Sequence, residues 1–235
     1  MKVAIVMNKD SYVGREYAQA LISAGLEFYL LAIGSQTHKG NAIEDERCAG
    51  LWQVPTIAEL SASPLLQYYE FASLHDESFL DFLDQQKFAL GIQGGTGILK
   101  ANVFQKFSIA MLNFHPGDLP AYRGCSAPEW QLSDNKPVIS TCHVIDTGID
   151  TGAIYQKKVL NLDLSTYHAM RASVYPQTAK FMAEVVAEVI SKGDISADLL
   201  VQDESLANYR PYIGAELIEV LASNLKNKFN DHYVS

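Results

Sequence analysis

Asn113, His115 and Asp150 put an amide, an imidazole and a carboxylate on two neighbouring stretches, Asn113-Phe114-His115-Pro116 and Asp146-Thr147-Gly148-Ile149-Asp150-Thr151-Gly152. Residues that turn a chain sharply flank each stretch: Pro116 and Gly117 after the first, Gly148 and Gly152 in the second. The trio suits transfer of an acyl group onto an amine. Such a reaction passes through a tetrahedral intermediate with negative charge on oxygen, so it needs a donor aimed at that oxygen and a carrier for protons. Residues two apart in a strand share a face, so Asn113 and His115 are expected to enter one cavity. Asn113 would offer an amide N–H and a protonated His115 a second donor. Asp150 would orient the imidazole and raise its pKa. Taken singly, each residue has a plainer reading: Asn or Asp beside Gly is usually a turn former, and Asp146 and Asp150 both fit as turn caps. The combination carries the catalytic reading, because turns do not require the patterned string around them.

The elements that must position this trio read as an α/β fold. Val3 to Met7 is a short apolar run, Val13, Tyr17, Leu21 and Ala24 recur at helical spacing before Gly25, and Phe28 to Ile33 is a second apolar run. Strand, helix and strand at this length predict a βαβ unit and a mostly parallel sheet. Residues 35–48 read mostly as loop. Asp76 or Ser78 is expected to cap a helix through Phe79 and Leu83. Phe88 to Ile92 predicts a strand running into Gly94-Gly95-Thr96-Gly97, with a short helix near Ala101 and a strand from Ile109 to Phe114. The candidate residues thus fall at strand carboxyl ends, where open α/β sheets place ligands. Two more strands, Ile139 to Ile145 and Ala153 to Leu160, flank the Asp146–Gly152 loop. Residues 166–190 are helical in character, with Pro176 expected to kink or divide them. Leu217 to Leu225 predicts an amphipathic helix.

Bulk properties narrow the function classes. The chain has 235 residues, 48% of them hydrophobic and 19% charged, enough for a full core and too few charges for a disordered chain. Eighteen basic against 27 acidic residues give a net charge of −9, which disfavours nucleic acid as a partner. Three widely spaced cysteines form no metal or redox motif, and no metal is expected. The amino terminus reads as a first strand rather than a signal peptide, and no apolar stretch is long enough for a membrane span. A cytoplasmic location is the expectation.

Asn-x-His-Pro with Leu-Pro-x-Tyr-Arg-Gly, followed by Asp-x-Gly-x-Asp-Thr-Gly, resembles the folate-dependent formyltransferase family, over about residues 69–160 and less closely outside them. The resemblance implies a Rossmann-like, mostly parallel twisted sheet flanked by helices, here with a short helical C-terminal tail. It implies N10-formyltetrahydrofolate as the formyl donor, and Asn113, His115 and Asp150 as the catalytic trio. Gly95, Gly97, Ile98 and Leu99 match the family's pterin-contacting stretch, and Asp146, Thr147, Gly148 and Ile149 the loop over the pterin's other side. Residues 1–192 would be the catalytic domain. Residues 193–235 would be an extension packing on the core or on a partner subunit, the latter making a homodimer.

The acceptor is read from departures. Gly117-Asp118 stands where the family often has Ser-Leu, and Asp118 is a candidate contact for an ammonium group or a solvated loop residue. Met7-Asn8-Lys9-Asp10-Ser11 lacks the Gly/Ser-rich turn with which the glycinamide ribonucleotide enzyme holds phosphate. The stretch after the kinked helix is too short for the β-barrel domain of the methionyl-tRNA enzyme. Elimination leaves a nucleotide-linked amino sugar as the expected acceptor, with Tyr122 and Trp130 as candidate contacts or packing residues. The rival readings are transfer to methionyl-tRNA, a peptide or a small amine, 10-formyltetrahydrofolate hydrolysis, and a non-catalytic folate-binding protein.

Overall fold

A strand that reads as an unbroken apolar run must be covered on both faces. The first strand is the clearest case. Val3, Ile5 and Met7 enter one cluster with Tyr17, Leu21, Phe181 and Val185, while Ala4 and Val6 enter another with Phe79, Leu83 and Val103. The computed structural model describes residues 1–34 and 40–231. In chain order the elements are β1 (Val3–Asn8), α1 (Tyr12–Ser23), β2 (Phe28–Ile33), α2 (Gly40–Cys48), α3 (Ile57–Ser61), β3 (Leu66–Phe71), α4 (Glu77–Gln86), β4 (Leu90–Gln93) and α5 (Ala101–Phe104). There follow β5 (Ala110–His115), β6 (Arg123–Gly124), α6 (Ala127–Ser133), β7 (Ile139–Val144), β8 (Ile154–Val159), α7 (Tyr167–Lys192), β9 (Tyr209–Arg210) and α8 (Ala215–Asp231).

Seven strands form one sheet in the order β3-β2-β1-β4-β5-β7-β8. The first five are parallel to one another, β7 runs antiparallel to β5, and β8 runs antiparallel to β7. The order reverses at β1 and β4, which places the loops after Asn8 and Gln93 at the crevice where such sheets bind ligands. Those loops are tied together by Asn8 N–H to the Gly95 carbonyl (3.3 Å) and Gly94 N–H to the Val6 carbonyl (2.8 Å).

Helix ends follow the local code. Ser11 caps α1 through the Gly14 N–H, and Gly25 (φ 71°) follows its end. Asp76 caps α4 through the Ser78 N–H. Two helical expectations are corrected. Residues 40–48, read as loop, form α2, and the cause is tertiary: the Asn41 amide bridges the Tyr12 N–H and the Asp10 carbonyl, and Glu44 pairs with Arg171 of α7. The rest of that expected loop, residues 35–39, lies outside the described residues. Pro176 does not divide α7, which runs unbroken from Tyr167 to Lys192. Packing against the sheet, α1 and α2 outweighs the one backbone donor that a proline removes. Strand β3 also went unassigned from sequence, because it is a half-exposed edge strand with mixed polarity.

After α7 the chain folds back onto the core. Leu200 bridges Ile154, β9 pairs with β6, and Leu221 and Leu225 of α8 join Val138, Leu160, Tyr167 and Val174 in a third apolar cluster. No helix among the described residues is long and apolar enough to cross a membrane.

Candidate active site

Strand β5 delivers Asn113 and His115 to one face while Phe114 turns the other way, into the core against Tyr17 and Phe181. Antiparallel pairing then sets Asn113 opposite His143 and His115 opposite Thr141 of β7. The amide of Asn113 donates to His143 Nε2 at 3.1 Å, and His143 Nδ1–H donates to the Val144 carbonyl at 3.0 Å. These two bonds fix both the imidazole tautomer and the direction of the amide. One N–H of Asn113 Nδ2 is used by His143, which leaves its second donor for the cavity.

His115 is 7% exposed, and its Nε2–H donates to the Tyr122 carbonyl at 2.7 Å. Its other nitrogen, Nδ1, stands 3.7 Å from Asp150 Oδ2. Gly117 makes this pose possible, because a Cβ there would lie 2.4 Å from His115 Nε2. The loop carrying Asp150 is held as closely. A Cβ on Gly152 would fall 1.8 Å from the Val144 carbonyl oxygen, and Asp150 itself adopts φ 56°. The Gly124 N–H donates to Asp150 Oδ2 at 2.9 Å, and Asp150 Oδ1 lies 3.7 Å from His143 Nε2.

Burial decides the charge state of the imidazole. Desolvation pulls the His115 pKa below its ordinary value, outweighing the upward pull of Asp150 and of the Tyr122 carbonyl. Asp150 does pull this pKa up, as expected from its charge, but in the buried site loss of water is the larger effect and sets the net direction. Burial also pushes the Asp150 carboxyl up, but His115, His143 and the Gly124 N–H together hold it below the usual carboxylate range. The resting pair at neutral pH is a neutral imidazole with Nδ1 free to accept a proton, beside an ionised carboxylate.

Two cavities meet at these residues. One, of about 270 Å³, is lined by Tyr12, Asn41, Glu44, Arg47, His115 and Arg171. The other, of about 450 Å³, is lined by Gln93, Thr96, Asn113, His143, Ile145 and Asp150. Cys125 and Tyr212 line both. Beneath the first, Arg171 holds Glu44 (2.6 Å) and Glu129 (3.5 Å), and Arg47 holds Glu129 (3.1 Å). Glu129 is fully buried, so this cluster makes a rigid polar floor.

The residues expected from sequence separate into groups. Asn113, His115 and Asp150 converge, as described. Gly97, Ile98, Leu99, Asp146, Gly148 and Ile149 line the 450 Å³ cavity, whereas Gly95 faces the smaller one and Thr147 lines neither. Asp146 Oδ1 accepts from the Gly148 N–H (3.0 Å) and the Thr151 hydroxyl (2.5 Å), so its carboxylate shapes its own loop. Asp118, Tyr122 and Trp130 are not brought to either cavity. Lys157 binds Asp118 at 2.6 Å, the Tyr122 hydroxyl donates to Asp134 at 3.0 Å, and the Trp130 indole N–H donates to the Pro211 carbonyl at 2.9 Å. Sequence reasoning missed His143, whose role depends on register across β5 and β7. It also missed Glu44 and Arg47 of α2, Arg171 of α7, and Tyr212 of the loop between β9 and α8. Strand alternation from Asn113 through an antiparallel partner was the one signal that pointed to His143.

Comparison with known proteins bears on the family and the fold. A methionyl-tRNA formyltransferase of Synechococcus sp. (strain JA-2-3B'a(2-13)) is 31% identical over 120 residues, covering 49% of this chain and 36% of that protein. The matched stretch thus spans about a third of that relative's length. Among solved structures, a sugar N-formyltransferase from Shewanella sp FDAARGOS_354 shares the fold with a TM-score of 0.60 at 16% identity, over 96% of this chain and 87% of that one. Glycinamide ribonucleotide transformylase 1 from Symbiobacterium toebii does so with a TM-score of 0.59 at 14% identity, over 86% and 94%. The model of the Formyl transferase family matches residues 1–190, four-fifths of the sequence, and the chain belongs to that family.

Proposed function

We propose that this protein moves a formyl group from N10-formyltetrahydrofolate to the primary amine of a nucleotide-linked amino sugar. The observation that carries the reading is the meeting of two cavities at Asn113, His115 and Asp150, one for each reactant of a two-substrate transfer. The larger cavity fits a flat, partly polar donor: Ile98, Leu99, Ile145 and Ile149 offer apolar walls, and Gln93 and Thr96 offer polar groups. When bound, the donor supplies the formyl carbon and leaves as tetrahydrofolate. The free N–H of Asn113 Nδ2 stabilises the oxyanion of the tetrahedral intermediate. His115 Nδ1 takes the proton from the attacking amine and returns it to the departing nitrogen. Asp150 balances the imidazolium in between. The second donor role, that of His115, then exists only after that proton arrives.

The acceptor reading rests on the smaller cavity. Tyr12, Tyr175 and Tyr212 offer aromatic faces to a base or sugar, and Arg47 offers a cation toward a phosphate. A phosphate bound directly at the head of α1 is disfavoured, because the Tyr12 N–H already donates to Asn41 (3.0 Å) and Ser11 caps Gly14. The curated relatives favour a second reading, methionyl-tRNA as acceptor. A panel assay separates the two. The protein is incubated with the formyl donor and with nucleotide-linked amino sugars, charged initiator tRNA or glycinamide ribonucleotide, and products are read by mass. Formylated sugar nucleotide is expected. Formylation of the tRNA with none across the sugar panel rejects the sugar reading, and formate release at the same rate without any acceptor points to hydrolysis.

A further inference from the structure

Residues 199–213 lie beyond the layers that carry the trio, yet they reach it. We propose that Gln202 is a positioning residue for Asp150, so that the segment after α7 is a working part of the active site. The inference rests on the role given to Asp150 above. Gln202 is 6% exposed, and its side-chain amide is fully engaged. Nε2 donates to the carbonyls of Asp150 (2.9 Å) and Gly152 (2.7 Å), while Oε1 accepts from Arg123 Nη2 (2.8 Å) and Nε (3.2 Å).

That one amide therefore controls Asp150 from two sides. Directly, it holds the carbonyls on either side of Thr151, in a turn where Asp150 sits at φ 56°, a region that non-glycine residues occupy only when their surroundings hold them there. Indirectly, it fixes Arg123, which is fully buried and precedes Gly124, the residue whose N–H binds Asp150 Oδ2 at 2.9 Å. Pairing of β6 with β9, and the Cys125 N–H to the Arg210 carbonyl (2.9 Å), keep the same strand in place along its length. Glu204 also pairs with Arg123 at 2.6 Å, but its side chain is 68% exposed and touches neither Asp150 nor its loop carbonyls. Removing the Gln202 donors releases the loop, and the carboxylate drifts from His115 Nδ1. The charged or titratable groups facing that imidazole are Asp150 from the loop and His143 from β7.

The test uses Gln202→Ala and Gln202→Met in the full chain, with Glu204→Gln as the comparison. A displacement of about 1 Å in a reacting group costs on the order of 10² in rate, so kcat is expected to fall by about 10- to 100-fold. KM for the acceptor should stay within about twofold, because the released loop lines the larger, donor cavity and not the smaller one. The acid limb of the kcat profile should move to lower pH, since His115 loses the carboxylate that pulls its pKa up. Glu204→Gln should keep kcat within about twofold of wild type. Wild-type kcat in both Gln202 variants overturns the proposal. So does a lower kcat with an unmoved acid limb, since lost folding would reduce active sites without changing their titration. If neither variant folds, Arg123→Lys removes the fork onto Gln202 and must show the same limb shift. An Asp150→Asn enzyme with full activity would instead overturn the reading of the site itself.

Discussion

Gly117 offers the sharpest test of the His115 geometry. An alanine Cβ at this position would lie 2.4 Å from His115 Nε2 and 2.7 Å from the Tyr122 carbonyl oxygen. Ordinary non-bonded contacts need about 3.5 Å, so the imidazole must retreat by about 1 Å. Gly117 does not occupy the left-handed region, so the substitution acts by volume alone. Retreat breaks the 2.7 Å bond that fixes the tautomer, a loss of about 0.5–1.5 kcal/mol, within an overpacking cost of about 1–3 kcal/mol. Displacement of the base by that distance should lower kcat by about 10²-fold. Steady-state kinetics of Gly117→Ala, denaturant melts, and the same substitution in a His115→Ala background complete a double-mutant cycle. The rate cost should vanish where His115 is absent. A wild-type kcat in Gly117→Ala, or an equal rate cost in both backgrounds, would refute the argument.

Other outcomes follow from the same contacts. Asn113→Ala should lower kcat by about 10²–10³-fold, with His143→Ala losing less, because the donor survives and only its orientation is freed. Steady-state rates of the two variants check that order. Since burial depresses the His115 pKa, the acid limb of kcat/KM should fall below the ordinary histidine value of about 6.5. The unfolded chain binds that proton more readily than the folded one, so this group also makes stability fall as pH drops through the histidine range, and contributes nothing above it. Denaturant midpoints across that range test the sign. Arg171→Met leaves Glu129 and Glu44 without their shared cation, and should cost about 3–5 kcal/mol of stability. A denaturant midpoint near wild type would show that the cluster is replaceable.

Legibility in the sequence tracked locality. The apolar runs of β1, β2 and β5, the Asp76 cap and the alternation of Asn113 and His115 are short-range features, and the folded chain retains them. The polar stretch at 40–48 has no such pattern, and becomes helical because Asn41 and Glu44 meet partners elsewhere in the chain. Asp118, Tyr122 and Trp130 looked available because the sequence does not reveal Lys157, Asp134 or the Pro211 carbonyl as their partners.

By itself, then, the sequence determined the α/β layering, the formyltransferase signature and the juxtaposition of an amide with an imidazole on one strand face. Tertiary structure decided the rest. It brought His143 across an antiparallel register, divided the crevice into two cavities, and set the burial that favours a neutral His115 imidazole over a charged one. It also carried Gln202 from beyond α7 to the back of the Asp150 loop. The physical reason is common to all four: desolvation and hydrogen-bond partnership depend on what packs against a residue, and the partners of Asn113 (His143), Asp150 (Gly124) and Gln202 (Arg123) lie 26 to 79 positions away along the sequence.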